Sequence, residues 1–490
     1  MPVLGHLPLD VLVHIQACMQ PLDILSLRQC SKTMKSAASH RTVWMGALRR
    51  ICAENAIPNG TFPLDKMSLH DLVHAATSSS RLIRHALRVC NDTTDECYFE
   101  AIATRLFEPR LPRGTDTSIM LGTTILMRMI PGGRYFATAT DTNLVCIWDV
   151  SYSPTSLINP CPVAFTQLPH QPDNLLVQSS GRGGVRLVVF YPTEPSIDIA
   201  VFEISLEAQT PDFMRVAHKK VTVADMSFFV TSLTPNRFTF HYDDKVTVWD
   251  FVQDSSATIK VSRNFQRLIV SPTSIVCDDG ALWVFDMPSL HPTGSLEAAE
   301  VIEPAYQPMV VSQISFLFPR AIYPHPNQED WLLDDLPVIF DIFGRRDSGE
   351  CAFARCEIRP IANAGGPLPR ALPVVLGVAQ VASVPVLEDF RFMHIEAPIR
   401  TPTPRQFVRA IVSEHELAFN IASLQDADTP AGVTLTSTSA CVIDEDSGWP
   451  GQAPRLAFDF DVFSGRLILQ TESEIRVLDY LAPNPAWTTD

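Results

Sequence analysis

Between residues 7 and 52, apolar side chains recur every three or four positions in four successive runs. Val11, Leu12, Ile15, Cys18 and Met19 form the first, and Pro21 interrupts it. Ile24, Leu25 and Leu27 follow, then Cys30, Met34, Ala37 and Ala38, then Val43, Trp44, Ala47, Leu48 and Ile51. This spacing predicts four short helices. Pro21 suits the first turn of its helix, and Leu7-Pro8 predicts an extended entry, because a residue before proline avoids the helical region. Pro58, Asn59, Gly60 and Pro63 end the unit in a loop. A fifth helix starts at Ser68, with Asp71 placed for a capping box, and reaches Val89 with a possible break at Ser78-Ser79-Ser80. Leu9 and Val13 lie off the main stripe of the first helix, so that helix is apolar on more than one face. A unit of this size cannot bury all of that surface alone. A second polypeptide is expected to cover the remainder.

From about residue 110 the period shortens to two. Ile125, Met127 and Met129 alternate, Pro131-Gly132-Gly133-Arg134 turns, and an apolar run follows from Tyr135. Asp141-Thr142-Asn143 turns again before Val145, Ile147, Trp148 and Asp149. Three antiparallel strands are predicted. The ending recurs. Asp243 precedes Val248-Trp249-Asp250, Asp279 precedes Val284-Phe285-Asp286, and Glu472 precedes Val477-Leu478-Asp479, with weaker copies at Phe202-Glu203 and Phe340-Asp341. The turn acid is expected to accept backbone hydrogen bonds, the bulky residue to fill the space between sheets, and the terminal Asp to close the strand. Bulky positions 148, 202, 249, 285 and 340 lie 36 to 55 residues apart, and the longer gap to 478 has room for two further units. That interval is one propeller blade. The pattern predicts an all-β propeller-like domain of six to eight blades, seven favoured. Segments 319–337 and 358–373 read as long loops, a common place for binding.

Composition narrows the chemistry. The chain has 490 residues, 46% apolar and 19% charged, which is globular and long enough for more than one unit. It has no apolar run long enough for a membrane span, and the N-terminus shows no secretory or lipidation signal. The 11 cysteines have no framework spacing and read as free thiols of an intracellular protein, cytoplasmic or nuclear. Arg49-Arg50, His218-Lys219-Lys220 and Arg345-Arg346 are too short to choose between the two. The net charge of −16 argues against nucleic acid as a partner. Residues 1–108 are nearly balanced, with 11 basic and 10 acidic groups, so the acidity belongs to the β-rich part.

No phosphate loop, dinucleotide fingerprint or nucleophile elbow is present. His415-Glu416 begins a zinc-protease-like string, but Phe419 stands where its second histidine belongs. His70 and His74 have metal-ligand spacing without a third ligand, and Cys351 with Cys356 lacks a second pair. Asp334-Asp335, Asp444-Glu445-Asp446 and Asp459 with Asp461 read as solvated acids, the last pair on the wet side of a strand.

Residues 7–50 resemble the F-box, through Leu7-Pro8, Asp10, Leu12, Ile15, Pro21-Leu22-Asp23-Ile24-Leu25, Leu27, Ser31-Lys32 and Val43-Trp44. The helix with Ser68-Leu69 and His74-Ala75-Ala76, the turn Pro131-Gly132-Gly133-Arg134-Tyr135 and Ile147-Trp148-Asp149 extend the likeness to F-box proteins of mushroom-forming fungi. The resemblance implies an F-box helical unit at 1–52, a helical linker at 53–109 and a WD-repeat-like propeller at 110–490. It implies that Leu7, Pro8, Leu12, Ile15, Leu22, Asp23, Leu25, Leu27, Lys32 and Trp44 bind the Skp-type adaptor of a cullin–RING ubiquitin ligase. The propeller would hold a target protein, and the blade residues Asp141, Trp148, Asp149, Asp243, Trp249, Asp250, Asp279, Phe285 and Asp286 would be structural. Such a subunit needs no catalytic residue, metal or cofactor, since its contribution is effective concentration. Two other readings stand: a scaffold of the same design without ubiquitin transfer, and an enzyme on a propeller-like fold.

Overall fold

Four short helices open the chain: α1 (Leu9–Ala17), α2 (Pro21–Cys30), α3 (Lys32–Ala38) and α4 (Arg41–Glu54). Pro21 occupies the start of α2, where its missing N–H costs nothing. The Met34 amide donates to Ser31 Oγ at 3.2 Å, which caps α3. The Trp44 indole N–H donates to the Ala38 carbonyl at 2.7 Å and ties α4 to the end of α3.

In this computed structural model, the described residues are 7–55, 57–91, 100–180, 183–223, 230–233, 236–242, 244–260, 267–270, 274–278, 282–292, 300–301, 321–324, 338–345, 351–360, 371–380, 406–412, 416–426, 433–444, 458–470 and 474–482.

Helix α5 (Leu69–Asn91) begins at a complete capping box. The Asp71 amide donates to Ser68 Oγ at 3.1 Å, and the Ser68 amide donates to Asp71 Oδ2 at 3.0 Å. The break expected at Ser78-Ser79-Ser80 does not occur, and α5 runs on for 23 residues. Thr77 and Ser78 hydroxyls donate to the carbonyls of Val73 and His74 at 2.8 and 2.7 Å, so they bond along the helix. Ala75, Ala76 and the four hydroxyl residues after them are all buried. Helix α5 lies against α4 and against the strands Glu416–Asp426 and Val433–Asp444.

Beyond α5 the described residues form seven sheets. Pairing is antiparallel except where Glu300–Val301 runs alongside Ser255–Lys260. Within most sheets the strands follow one another as meanders; the exceptions are Ala103–Phe107, which joins the last sheet, and His291–Pro292 and Glu300–Val301, which pair with Ser255–Lys260. Four pairs of first strands are neighbours: Thr124–Met129 lies beside Asn174–Ser179 and Phe458–Asp461, and Arg267–Val270 lies beside Val230–Leu233 and Ala321–Pro324, while Ala371–Gln380 lies beside Val433–Asp444. Apolar clusters fill the spaces between sheets. Phe136 and Trp148 meet Ile468 and Val477, Ile147 meets Leu187, Phe190 meets Phe238 and Trp249, and Val248 meets Ile275. The arrangement is a helical unit followed by a propeller-like array of sheets.

The predicted hairpins of the first sheet are present as Thr124–Met129, Tyr135–Thr140 and Leu144–Asp149. Their first turn needs glycine. Gly133 has φ of +69°, and a Cβ there would stand 1.9 Å from Ser464 Oγ.

Three segments differ from expectation. The stretch 53–109 is not helical throughout: Ala103–Phe107 is the outer strand of the last sheet, with Ala103 opposite Asp479 and Phe107 opposite Ile475. Only Phe107 of its five residues is buried, so it carries little strand pattern. The expected loops also contain strands. Ala321–Pro324 pairs with Val338–Arg345, and Cys351–Pro360 pairs with Ala371–Gln380, which takes in residues 358–360 and 371–373. Pro360 ends its strand and Pro373 lies on the outermost one, positions where a missing N–H is tolerated. The rest of those two segments lies outside the described residues.

Candidate adaptor-binding surface

Helices α1 to α4 sort the ten residues of the F-box resemblance into three groups. Leu12 and Trp44 are interior, 1% and 0% exposed. Leu12 packs with Met34 and Ala37, and Trp44 with Ile24 and Leu48. They shape the unit and are not open to a partner. Leu7, Ile15, Leu22, Leu25 and Leu27 are half-buried, while Pro8, Asp23 and Lys32 are exposed. Leu9 and Val11, outside the ten, present apolar surface at 40% and 37% exposure. Val11 and Ile15 stand four apart and share a face of α1. Position by position, Val11 reads as part of the apolar stripe, and only the fold shows which way that stripe turns.

The unit is braced from α4. Arg50 Nη1 donates to the Ala17 carbonyl at 2.7 Å, and its guanidinium also bonds the Met19 carbonyl. A cation at the end of α1 also suits the helix dipole. Arg41 bonds the carbonyls of Leu64 and Met67, which fixes the loop before α5.

A second constellation closes the ring of sheets. Asp459 and Asp461, expected on a wet face, are instead bonded between the last and first sheets. Asp459 Oδ2 accepts from the Met129 amide at 2.6 Å. Asp461 accepts from the Gly132 amide at 3.1 Å and the Ser464 amide at 2.8 Å. Burial raises the Asp461 carboxyl pKa from its ordinary value, against the pull of those hydrogen bonds. The sequence shows the alternation of Asp and Phe there, but not that both faces of the strand are covered.

Four of the blade-ending acids each pair with an arginine that the sequence reading missed. Asp149 pairs with Arg134 at 2.7 Å, Glu203 with Arg186 at 3.2 Å, Asp250 with Arg237 at 3.7 Å and Asp479 with Arg466 at 2.6 Å. Three of these arginines stand directly opposite their acid on the preceding strand, and Arg134 is one residue short of that register. The hairpins between them differ in length, so the spacing is not constant and the repeat is hidden. The acids also accept from the following turn, Asp149 from the Ser151 amide and Asp250 from those of Val252 and Gln253. Trp148, Trp249 and Phe285 are buried. Asp141 Oδ1 accepts from the Thr123 amide at 2.8 Å, outside its own turn. Asp286 ends its strand opposite Ser274, while Asp243 and Asp279 lie outside the described residues.

Among the described residues, His74 is engaged within the fold. His74 Nδ1 is 2.8 Å from Arg81 Nη1. Burial, then the Arg81 charge, lowers its pKa to about 3, so the ring is neutral near pH 7. Among the described residues, no three His, Cys, Asp or Glu side chains stand close enough to hold a metal. A small cavity between α5 and the ring closure is lined by His74, Tyr152, Arg466 and Asp479 among others, with Arg466 and Asp479 paired to each other. Cys356 is buried in its strand. Glu416 begins a strand, and His415, Asp334, Asp335, Glu445 and Asp446 lie outside the described residues. Among the described residues, no helix is long and apolar enough to cross a membrane.

Comparison with known proteins agrees with the helical unit: residues 4–45 match the F-box domain. No curated protein matches the chain. Solved structures similar to it include the RRP9 WD40 repeats, at 11% identity and a TM-score of 0.39, over 77% of this chain and 97% of that one. U3-55K is similar at 12% identity and 0.38, over 78% and 99%. Kluyveromyces lactis Hsv2 is similar at 9% identity and 0.36, over 64% and 84%. Likeness at this level fixes neither a partner nor an activity.

Proposed function

We propose that the chain is a substrate-recruiting subunit of an SCF-type cullin–RING ubiquitin ligase, acting inside the cell. Residues 1–52 bind a Skp-type adaptor, residues 53–102 join the parts, and the sheets from Ala103 onward hold a target protein. The observation that carries this reading is the F-box match at residues 4–45 on a helical unit whose Leu9 and Val11 remain open to solvent. Pro8, Asp23 and Lys32 are the exposed polar and turn contacts, and the half-buried leucines complete the apolar surface. The chain performs no bond-making step. It raises the local concentration of a target's lysines near a charged conjugating enzyme.

A shared apolar core between the helical unit and the last sheet supports this role. One apolar cluster contains Trp44 and Leu48 of α4, Leu72 and Leu82 of α5, and Phe463, Leu467 and Leu481 of the last sheet. Adaptor and target would therefore be held at a fixed separation.

The test is a pull-down on immobilised Skp-type adaptor, comparing the full chain with the double substitution Leu7→Ala and Pro8→Ala. Loss of adaptor with the helical unit still folded, its melting temperature only slightly lowered, is expected. Undiminished capture by the double variant overturns the site. Adaptor recovered from cells without cullin overturns the ligase role in favour of a scaffold.

A further inference from the structure

The strand Met214–Thr222 is the outermost of its four-stranded sheet. Its inner edge pairs with Ser196–Ile204, from Glu203 opposite Met214 to Ser196 opposite Thr222. No described strand pairs with its outer edge. A strand in that position offers a row of free N–H and C=O groups to another chain.

Its side chains are unlike the rest of the domain. Residues 109–490 carry 27 basic against 44 acidic groups, yet this strand holds Arg215, His218, Lys219 and Lys220 with no acid. Two of the four are engaged within the fold. His218 Nε2 lies 2.6 Å from Asp198 Oδ1. Lys219 Nζ donates to Ser256 Oγ at 3.2 Å and stands over the Trp249 ring. Arg215 and Lys220 are exposed and have no hydrogen-bonded or ion-paired partner among the described residues. Met214 and Val216 add apolar surface at 60% and 38% exposure.

Lysines on an edge, and the register shift opposite Val201 and Phe202, are ordinary guards against edge-to-edge pairing. The shift falls at Val216, so Ala217 to Thr222 keep an unbroken register. Lys220 lies within that stretch and Arg215 just before the shift, and both repel another basic edge and attract an acidic one. The guard is thus also a selection rule. An extended segment with acids at alternate positions would meet Arg215 and Lys220 while its backbone completes the ladder. We propose that the outer edge of Met214–Thr222 takes up an acidic, extended segment of a partner protein as an added strand. The inference deepens the proposed function by naming the chemistry of the propeller's partner, and it rests on that reading.

The test uses the full chain and a fluorescein-labelled eight-residue peptide alternating glutamate with valine, followed by anisotropy. Three comparisons are made: the same peptide with lysine for glutamate, the same peptide N-methylated at alternate amides, and the variant Arg215→Glu with Lys220→Glu. The acidic peptide is expected to bind, weaken with added salt, and lose at least about tenfold in affinity on the variant. The lysine and N-methylated peptides are expected to bind at least about tenfold more weakly. Equal binding by the N-methylated peptide overturns strand addition, and equal binding by the variant overturns the site. Preference for a single-stranded RNA over the peptide overturns the class of partner. Adaptor capture is measured on the same preparations. Its failure bears on the F-box reading alone, because strand and adaptor surface lie on different elements.

Discussion

Asp459 Oδ2 accepts a 2.6 Å hydrogen bond from the backbone amide of Met129, a residue 330 positions earlier in the chain. Asp459 is 6% exposed, and the bond joins the innermost strands of the last and first sheets. Asp459→Ala leaves a buried amide without an acceptor, which costs about 1–3 kcal/mol. The urea midpoint should fall accordingly. A change within about 0.5 kcal/mol, as for a solvated surface acid, would remove the carboxylate from the closure.

Arg466 works at the same seam. Nε and Nη2 each bond Asp479 Oδ1 at 2.6 Å, and Nη1 donates to the carbonyls of Gly133 and Ser151 at 2.6 and 2.5 Å. Arg105 reaches the other oxygen, Oδ2, at 2.8 Å from the outer strand. One carboxylate thus joins three segments of chain. Arg466→Met should destabilise by about 3–5 kcal/mol, because it leaves a buried charge and two carbonyls short of a donor. Arg237→Met, whose pair with Asp250 is longer at 3.7 Å and more exposed, should cost about 1 kcal/mol or less. Parallel denaturation curves compare the two.

These bonds also show what could be read from the chain alone. The helices of the first 54 residues were legible because each buries a stripe at its own period and Pro21 stands in the first turn of α2, and the start of α5 was legible from Ser68 and Asp71. The hairpin from Thr124 to Asp149 was legible because its turns contain Gly132, Gly133 and Asn143, the last two at φ of +69° and +67°. The seam was not legible. Asp459 and Asp461 sit in a local pattern of alternating acid and Phe, which matches a half-exposed strand. What buries them is a turn more than 300 residues away. The strand Ala103–Phe107 escaped for the same reason, since its pairing partner is the far end of the chain. In the helical unit, periodicity located the apolar side chains but could not divide Leu12 and Trp44 from Val11. That division depends on how four helices pack.

His74 makes the junction of α5 sensitive to acid. Burial and Arg81 hold its pKa at about 3, whereas the unfolded chain protonates it near 6.5. A lowered histidine pKa means that the neutral folded form loses stability as pH falls below 6.5, and the loss levels off near 3. The slope is about 1.4 kcal/mol per pH unit for one proton. Between pH 7 and pH 5 the natural chain should lose about 1–2 kcal/mol more than His74→Gln. Urea midpoints at the two pH values measure it, and parallel losses would mean that His74 is protonated in the fold.

The proposed adaptor surface predicts a separation between stability and binding. Trp44 is wholly buried and its indole N–H is satisfied by Ala38, so Trp44→Ala opens a cavity and frees a carbonyl. It should cost about 3–5 kcal/mol and weaken adaptor capture only as far as the helical unit unfolds. Val11 is 37% exposed, and Ile15 is on the same face. Val11→Ser should change stability by about 0.5 kcal/mol or less. If that face meets the adaptor, losing a central apolar contact should reduce affinity by about tenfold or more. Thermal melting beside adaptor titration of both variants decides between the two roles. A Val11→Ser chain that melts normally and binds normally would move the contact off α1, towards Leu22 and Leu25 on α2.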